Sequence, residues 1–396
     1  MNIIIQPGRL SGAVTAIPSK SQAHRLLICA AFSGEETVLI CSETNRDIEA
    51  TVDCLKALGA VIQKTDTGYL VKPVTVVPKK ALLDCGESGS TLRFMLPIAG
   101  ALGVEATFLL AGRLPQRPLS PLWEEMERMG CTLSRPTENT VLCQGKLIPG
   151  NYVIDGGVSS QYITGLMLAL SLMKAESHLQ ITGKIESGPY ITLTKEVLAL
   201  FGADTNHLGC KALSSPGKII VEGDWSNSAF WAAAQTLGNA VTVQGLNLDS
   251  SQGDRAVLDL LPLIKDGIPT ISAADIPDLI PVLSVVAAAN HGAVFTHIQR
   301  LRLKESDRVA STIAMISGLG GNAEATEDTL TIYGTGLTGG LIDSVNDHRI
   351  AMSAAIAATV CSAPVTILVA ECVKKSYPKF WEEYSRLGGN YELYLR

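Results

Sequence analysis

The chain has no apolar run long enough to cross a bilayer. Its most apolar stretch, Phe94 to Gly112, is broken by Pro97, Gly100, Gly103 and Glu105, and reads as helix, turn and strand. The opening residues, MNIIIQPGRL, have no basic segment ahead of an apolar core, so a secretory signal is not expected. No Lys/Arg run or basic stripe marks a nucleic-acid partner. Nine cysteines include no CxxC pair. Their odd number and apolar surroundings point to buried thiols in a reducing cytoplasm, not to a disulfide framework. Six histidines are scattered with no HxxxH or acidic cluster at ligand spacing, so no metal site is expected. With a net charge of −6, the chain can bind anions only if its cations are gathered locally.

What is present is a repeat. A small or acidic polar residue, an Ala/Leu-rich run of helical length, a brief break and a β-branched run recur six times. The copies begin near Ser19, Ser88, Ser159, Ser226, Pro277 and Asp347. The period is about 70 residues, with one short unit around SQGDRAVLDLLPLIKDGIPTI. A second helix follows most copies and ends at a Gly suited to the left-handed C′ position, as at Gly59, Gly130, Gly202, Gly320 and Gly388. Hairpin-like segments such as VIQKTDTGYLV and NAEATEDTLTIYG come next. The unit therefore reads as strand, helix, strand, helix and two strands. Six units exceed one core, and the short fourth copy divides them into two domains of three.

Polar clusters sit at the strand-to-helix junctions or in loops: PSKSQAHR, GESGSTLR, GRLPQRP, SSQ, SGPY, IPD, LRLKESDR, NDHR and KKSYP. Helix N-termini offer unpaired N–H groups and a positive dipole end, and Arg donates two parallel hydrogen bonds to carboxylate or phosphate. Each cluster alone also has a bland reading. SKS and SSQ make ordinary N-caps, and KESDR makes a solvated helix start with Lys304 and Asp307 paired at i, i+3. Asn346-Asp347 makes a turn and cap, Asp278 a favourable charge at a helix start, and Tyr190 a packing residue. Recurrence of cations and serines at equivalent points of the copies favours the anion-site reading.

Taken in order from Pro18 to Pro378, the nine clusters resemble the 5-enolpyruvylshikimate-3-phosphate synthases among the enolpyruvyl transferases. The resemblance implies an α/β (α+β) fold with two domains, each of three βαβαββ repeats, and an active site in the cleft between them. The first strand, Asn2 to Ile5, would complete the C-terminal-type domain. That domain would comprise 1–19 and 224–396, with 20–223 inserted and hinges near 18–21 and 222–226. The implied reaction moves enolpyruvyl from phosphoenolpyruvate to the 5-hydroxyl of shikimate 3-phosphate and releases phosphate. No metal or organic cofactor, nucleic acid or membrane is implied, and a cytoplasmic monomer that closes its domains on substrate is expected.

The same resemblance implies the site. Ser21 and Arg25 would meet the shikimate carboxylate, with Ser159, Ser160 and Ser187 on its 3-phosphate. Tyr190, Lys304, Lys20 and Gln161 would contact that substrate too. Lys20, Gly89, Arg117 and Gln161 would surround phosphoenolpyruvate from one domain, and Arg308, Arg349 and Lys375 from the other. Asp278 would take the 5-hydroxyl proton, and Glu305 with Lys20 would supply the proton to the enol methylene. His348 would lie beside the reacting phosphate.

Three positions depart from the pattern: Glu87 where Ala is common, Ser90 for Thr, and Gly188 for a bulkier residue. A carboxylate at position 87 repels phosphoenolpyruvate unless a nearby cation compensates it. The UDP-N-acetylglucosamine enolpyruvyl transferases share the chemistry but carry a reactive Cys in the loop that reads Arg113-Leu114-Pro115-Gln116-Arg117 in this chain. A ring-shaped DNA clamp would need basic residues along a helical face, not bunched in loops.

Overall fold

The computed structural model describes residues 1–394. The chain divides into two compact units. One, the inserted unit, is Pro18–Glu222; the other, the terminal unit, joins Met1–Ile17 to the chain from Gly223 onward. These divisions fall one or two residues before those read from the sequence.

The chain opens with β1 (Ile3–Gln6) and β2 (Ser11–Thr15), both part of the terminal unit. The inserted unit then begins with α1 (Lys20–Ala31), β3 (Thr37–Ile40), α2 (Arg46–Ala57), β4 (Val61–Thr65) and β5 (Gly68–Lys72). Its second copy is β6 (Lys80–Asp84), α3 (Gly89–Leu102), β7 (Glu105–Leu109), α4 (Leu122–Arg128), β8 (Cys131–Ser134) and β9 (Thr140–Gly145). The third is β10 (Asn151–Asp155), α5 (Ser160–Ser171), β11 (His178–Thr182), α6 (Gly188–Leu200) and β12 (Lys218–Ile220). The terminal unit resumes with α7 (Trp225–Thr236), β13 (Ala240–Gln244) and α8 (Val257–Asp266). Its fifth copy is β14 (Thr270–Ser272), α9 (Ile280–Ala289), β15 (Gly292–Thr296), α10 (Arg308–Gly318), β16 (Asn322–Ala325) and β17 (Thr329–Tyr333). Last come β18 (Gly340–Asp343), α11 (His348–Ala357), β19 (Val365–Leu368), α12 (Phe380–Arg386) and β20 (Asn390–Leu393).

One sheet pattern occurs four times, as β12-β3-β5-β4, β6-β7-β9-β8, β14-β15-β17-β16 and β18-β19-β1-β20. In each, the first two strands are parallel and the remaining pairings antiparallel. Only the second and fifth copies build this pattern from their own residues. The first borrows β12, and the sixth borrows β1. Among the described residues the closing hairpin of the repeat unit does not form in the third and fourth copies. There the strands form two-stranded parallel pairs, β10-β11 and β2-β13, and α8 takes up the short fourth copy.

The Ala/Leu-rich helices α1, α3, α5, α7, α9 and α11 are buried on nearly every face, as expected of helices without a polar side. Each unit has its own apolar core around them. Close approach matters: a Cβ at Gly165 of α5 would lie 2.1 Å from the Arg93 carbonyl oxygen of α3. Ser19, Ser88 and Ser159 cap α1, α3 and α5, while Asp224 and Asp347 cap α7 and α11. The fourth start read at Ser226 is thus two residues inside its helix. The polar residues of these buried helices lie mostly in their first turns, where the candidate site residues are found.

Candidate active site

In the inserted unit, Lys20 opens α1 and its Nζ lies 2.8 Å from Asp47 Oδ2 in the first turn of α2. Arg25, a little more than one turn further on, is 2% exposed. It donates to Thr194 Oγ1 at 2.9 Å, Thr164 Oγ1 at 3.1 Å and the carbonyls of Ser21 and Tyr190 at 2.6 and 3.2 Å. All four acceptors are neutral. Burial lowers the Arg25 pKa to about 10, against the opposing pull of Tyr190 and Cys29, so it keeps its charge at pH 7. Ser159 caps α5, Ser160 is its first residue, and Ser187 precedes α6 with φ 58°, an uncommon conformation for a non-glycine residue.

The start of α3 gathers two more guanidiniums. A Cβ on Gly89 would stand 2.7 Å from Nη1 of both Arg117 and Arg93, so any side chain there would displace them. Arg93 donates to Gln161 Oε1 at 2.7 Å and to the Pro118 carbonyl at 3.2 Å, while Gln161 Nε2 donates to Ser90 Oγ at 3.0 Å. Two cations at a helix N-terminus have the chemistry to hold an anion. The Glu87 side chain lies over Gly112, where a Cβ would come within 2.6 Å of its carboxylate.

A buried chain of hydroxyls ties these starts together. His24 Nδ1 lies 2.7 Å from Thr51 Oγ1, which lies 2.7 Å from Thr91 Oγ1. Thr91 reaches Ser88 Oγ at 2.8 Å and the Asp47 carbonyl at 3.3 Å. The carbonyl can only accept. If Thr91 gives it its single proton, Thr51 must donate to Thr91, and His24 must donate from Nδ1. With Nε2 buried and without a partner among the described residues, the ring is the neutral Nδ1–H form, in keeping with the pKa that burial, then Lys20 and Arg25, push well down.

In the terminal unit the cations meet carboxylates. Arg308, the first residue of α10, is 1% exposed. Its Nε donates to Asp347 Oδ2 at 3.0 Å, its Nη2 to Glu305 Oε2 at 2.7 Å, and its Nη1 to Asp278 Oδ1. Arg349 donates to the Ser226 carbonyl at 2.9 Å and hydroxyl at 2.6 Å, and stands 3.7 Å from Asp278 Oδ2. Burial pushes the Asp278 pKa up, but Arg308, Lys304 and Arg349 together outweigh it and hold the carboxyl far below its usual range. Lys304 is pushed down to about 8 by burial, with Asp278 opposing. Lys375 donates to the Asn346 carbonyl at 2.8 Å, and His348 opens α11 at 3% exposure.

The structure thus clusters Lys20, Ser21, Arg25 and Tyr190, and joins Gly89, Arg117 and Gln161, within the inserted unit. It clusters Asp278, Glu305, Arg308 and Arg349 within the terminal unit. The pairing of Lys304 with Asp307 does not form: Asp307 caps α10 and lies 3.7 Å from Arg302. Asp47, Asp347, Ser226 and Asp254 were not picked out as site residues by sequence reasoning. Asp347 stood inside a motif already singled out, and Asp254 in the short fourth copy that broke the repeat.

The fold is that of the enolpyruvyl transferases. An EPSP synthase structure from Acinetobacter baumannii matches at a TM-score of 0.79 and 23% identity, over 99% of this chain and 100% of that one. The enolpyruvyl transferase NikO from Streptomyces tendae matches at 0.73 and 17%, over 99% and 98%. The profile of the EPSP synthase (3-phosphoshikimate 1-carboxyvinyltransferase) family matches residues 4–268 and 262–384. A 3-phosphoshikimate 1-carboxyvinyltransferase from Clostridium kluyveri is 37% identical over 98% of this chain and 97% of its own length. One from Clostridioides difficile is 35% identical over 97% of each. This chain belongs to the EPSP synthase family.

Proposed function

We infer that this chain transfers the enolpyruvyl group of phosphoenolpyruvate to the 5-hydroxyl of shikimate 3-phosphate, giving 5-enolpyruvylshikimate 3-phosphate and phosphate in the shikimate pathway. The observation that carries this is the end-to-end similarity to relatives bearing that enzyme name. The cation clusters support it, since each substrate brings a carboxylate and a phosphate of about −1.5 to −2 charge. Arg25 and the serines Ser21, Ser159, Ser160 and Ser187, with Tyr190 and Lys304, hold shikimate 3-phosphate. Lys20, Gly89, Arg117 and Gln161, with Arg308, Arg349 and Lys375, hold phosphoenolpyruvate.

Glu305 or Lys20 gives a proton to the enol methylene, leaving a cationic carbon. The 5-hydroxyl oxygen attacks it, its proton passes to Asp278, and a tetrahedral ketal forms. Return of the methyl proton to the protein and departure of phosphate, which carries away the hydroxyl proton held by Asp278, complete the exchange, so no net proton is consumed. Asp278 starts as a poor base because its cations stabilise its charge. Anions competing for Arg308 and Arg349 loosen that hold and raise its basicity. In this reading His348, at the start of α11, lies beside the departing phosphate. Eight of the nine cysteines are buried and all are unpaired, which supports a reducing, cytoplasmic setting.

The test is phosphate release. It is expected only when shikimate 3-phosphate and phosphoenolpyruvate are both present. Release with UDP-N-acetylglucosamine as acceptor instead would move the chain to the sister activity, and release with neither acceptor would end the reading.

A further inference from the structure

Asp254 is among the most anomalous polar groups in the described residues. It lies in the 3-10 turn Gly253–Ala256, ahead of α8, and is 1% exposed. Neither carboxylate oxygen finds a hydrogen-bonding partner at good geometry among the described residues. An ionised carboxylate in that state would carry most of its desolvation cost uncompensated. The turn is nevertheless held firmly. The adjoining Gln252 accepts from Trp225 N at 3.2 Å and donates to the Gly223 carbonyl at 2.9 Å, fixing Asp254 beneath the start of α7.

The groups acting on Asp254 come from three elements. Asp278, ahead of α9, and Asp224, the cap of α7, oppose its ionisation, whereas Arg349 on α11 favours it. The Ser226 hydroxyl also favours the ionised form, and it accepts from Arg349 Nη2 at 2.6 Å. Arg349 is 3% exposed and its Nε has no partner among the described residues. A buried acid is therefore within electrostatic reach of an arginine that the function assigned above directs at an anion.

We propose that Asp254 is a positioning residue whose proton keeps the Arg349 guanidinium available to the anionic substrate, so that loss of this proton weakens anion binding. The inference rests on the assignment of Arg349 to phosphoenolpyruvate. In the protonated form Asp254 is neutral, and Arg349 presents its charge to the incoming anion. Ionisation sends the proton to solvent and leaves a carboxylate that competes with the substrate for the same guanidinium. Burial first, then Asp278, raises the Asp254 pKa to about 7, which places the change in the physiological range.

The experiment compares the wild type with Asp254→Asn, a neutral mimic of the protonated acid, across pH 6 to 8.5. Steady-state phosphate release with both substrates gives KM for phosphoenolpyruvate, and calorimetry gives the affinity for sulfate, an anion that does not titrate there. The wild-type to variant ratio of KM is expected near one at pH 6, rising about fivefold to tenfold by pH 8.5. Sulfate affinity should diverge in the same sense. The melting temperature of the variant should rise relative to wild type as pH increases up to about 7 and hold level above it, because below that pH the wild-type fold keeps a proton that the unfolded chain has already released. A ratio independent of pH, or a melting temperature lowered equally at every pH, overturns the proposal and makes Asp254 an ordinary structural residue. If Asp254→Asn gives no cooperative melt, Asp254→Ser carries the same comparison. Absence of phosphate release by the wild type at every pH would instead remove the functional assignment itself.

Discussion

Arg25 of the inserted unit and Arg308 of the terminal unit are held in opposite ways. In the inserted unit, Arg25 and Arg93 donate to hydroxyls, carbonyls and an amide. In the terminal unit, Arg308 is ringed by Asp278, Glu305 and Asp347. Neutral acceptors fix a guanidinium in place and leave its charge uncancelled, which suits the capture of anions. Carboxylates cancel that charge and bring titratable oxygens to the same spot, which suits proton transfer. Lys20, a site cation of the inserted unit, is paired with the carboxylate of Asp47, and it is also the cation there assigned a proton-transfer task. The difference teaches that charge-balance, more than cation count, sets what a buried arginine can do: hold an anion, or bring carboxylates together.

The strongest challenge to that contrast is Asp278→Ala. Turnover is expected to fall about a thousandfold, with substrate KM values changed far less and a near-native melting curve. A large drop in melting temperature with full activity per folded molecule would make the terminal unit's carboxylates structural. Next is Arg25→Lys, which keeps the charge but loses the forked geometry. The KM for shikimate 3-phosphate should rise about tenfold to a hundredfold, roughly 1.4–2.7 kcal/mol, with turnover within a few-fold. An unchanged KM would show that Arg25 only braces α1, α5 and α6. The smallest effect concerns Lys304. Because burial lowers its pKa to about 8, it loses its positive charge as pH rises through that value, and shikimate 3-phosphate binding should weaken there about threefold to tenfold. Lys304→Arg should abolish the inflection in a binding titration; its persistence would assign the pH dependence elsewhere.

Much of the scaffold was legible before any coordinates. The helix starts at Ser19, Ser88, Ser159 and Asp347 announce themselves because capping is local: a side-chain oxygen and an N–H two or three residues on. The Gly ends of the outer helices are legible for the same reason, as Gly59, Gly130, Gly202, Gly320 and Gly388 all adopt positive φ. Less legible was which strands complete which sheet. β1 takes the place of a hairpin strand between β19 and β20, its paired residues 360 or more apart in sequence, and no local pattern encodes such a pairing. The missing hairpins of the third and fourth copies were overread for a related reason, since periodicity describes the average copy.

The site divides along the same line. The family resemblance carried by the ordered motifs named Lys20, Arg25, Asp278, Glu305, Arg308 and Arg349, side chains of the types that anion binding and proton transfer use. Their partners came only with the fold. That Arg25 faces hydroxyls while Arg308 faces carboxylates, that Asp47 meets Lys20, and that Asp254 is buried beside Ser226 and Arg349 are consequences of packing. By itself the sequence determined the repeated helices, their caps and the chemical types available to the site. Tertiary structure decided the charge each cation retains, because that depends on which distant side chains are brought within a few ångströms and how much water is excluded.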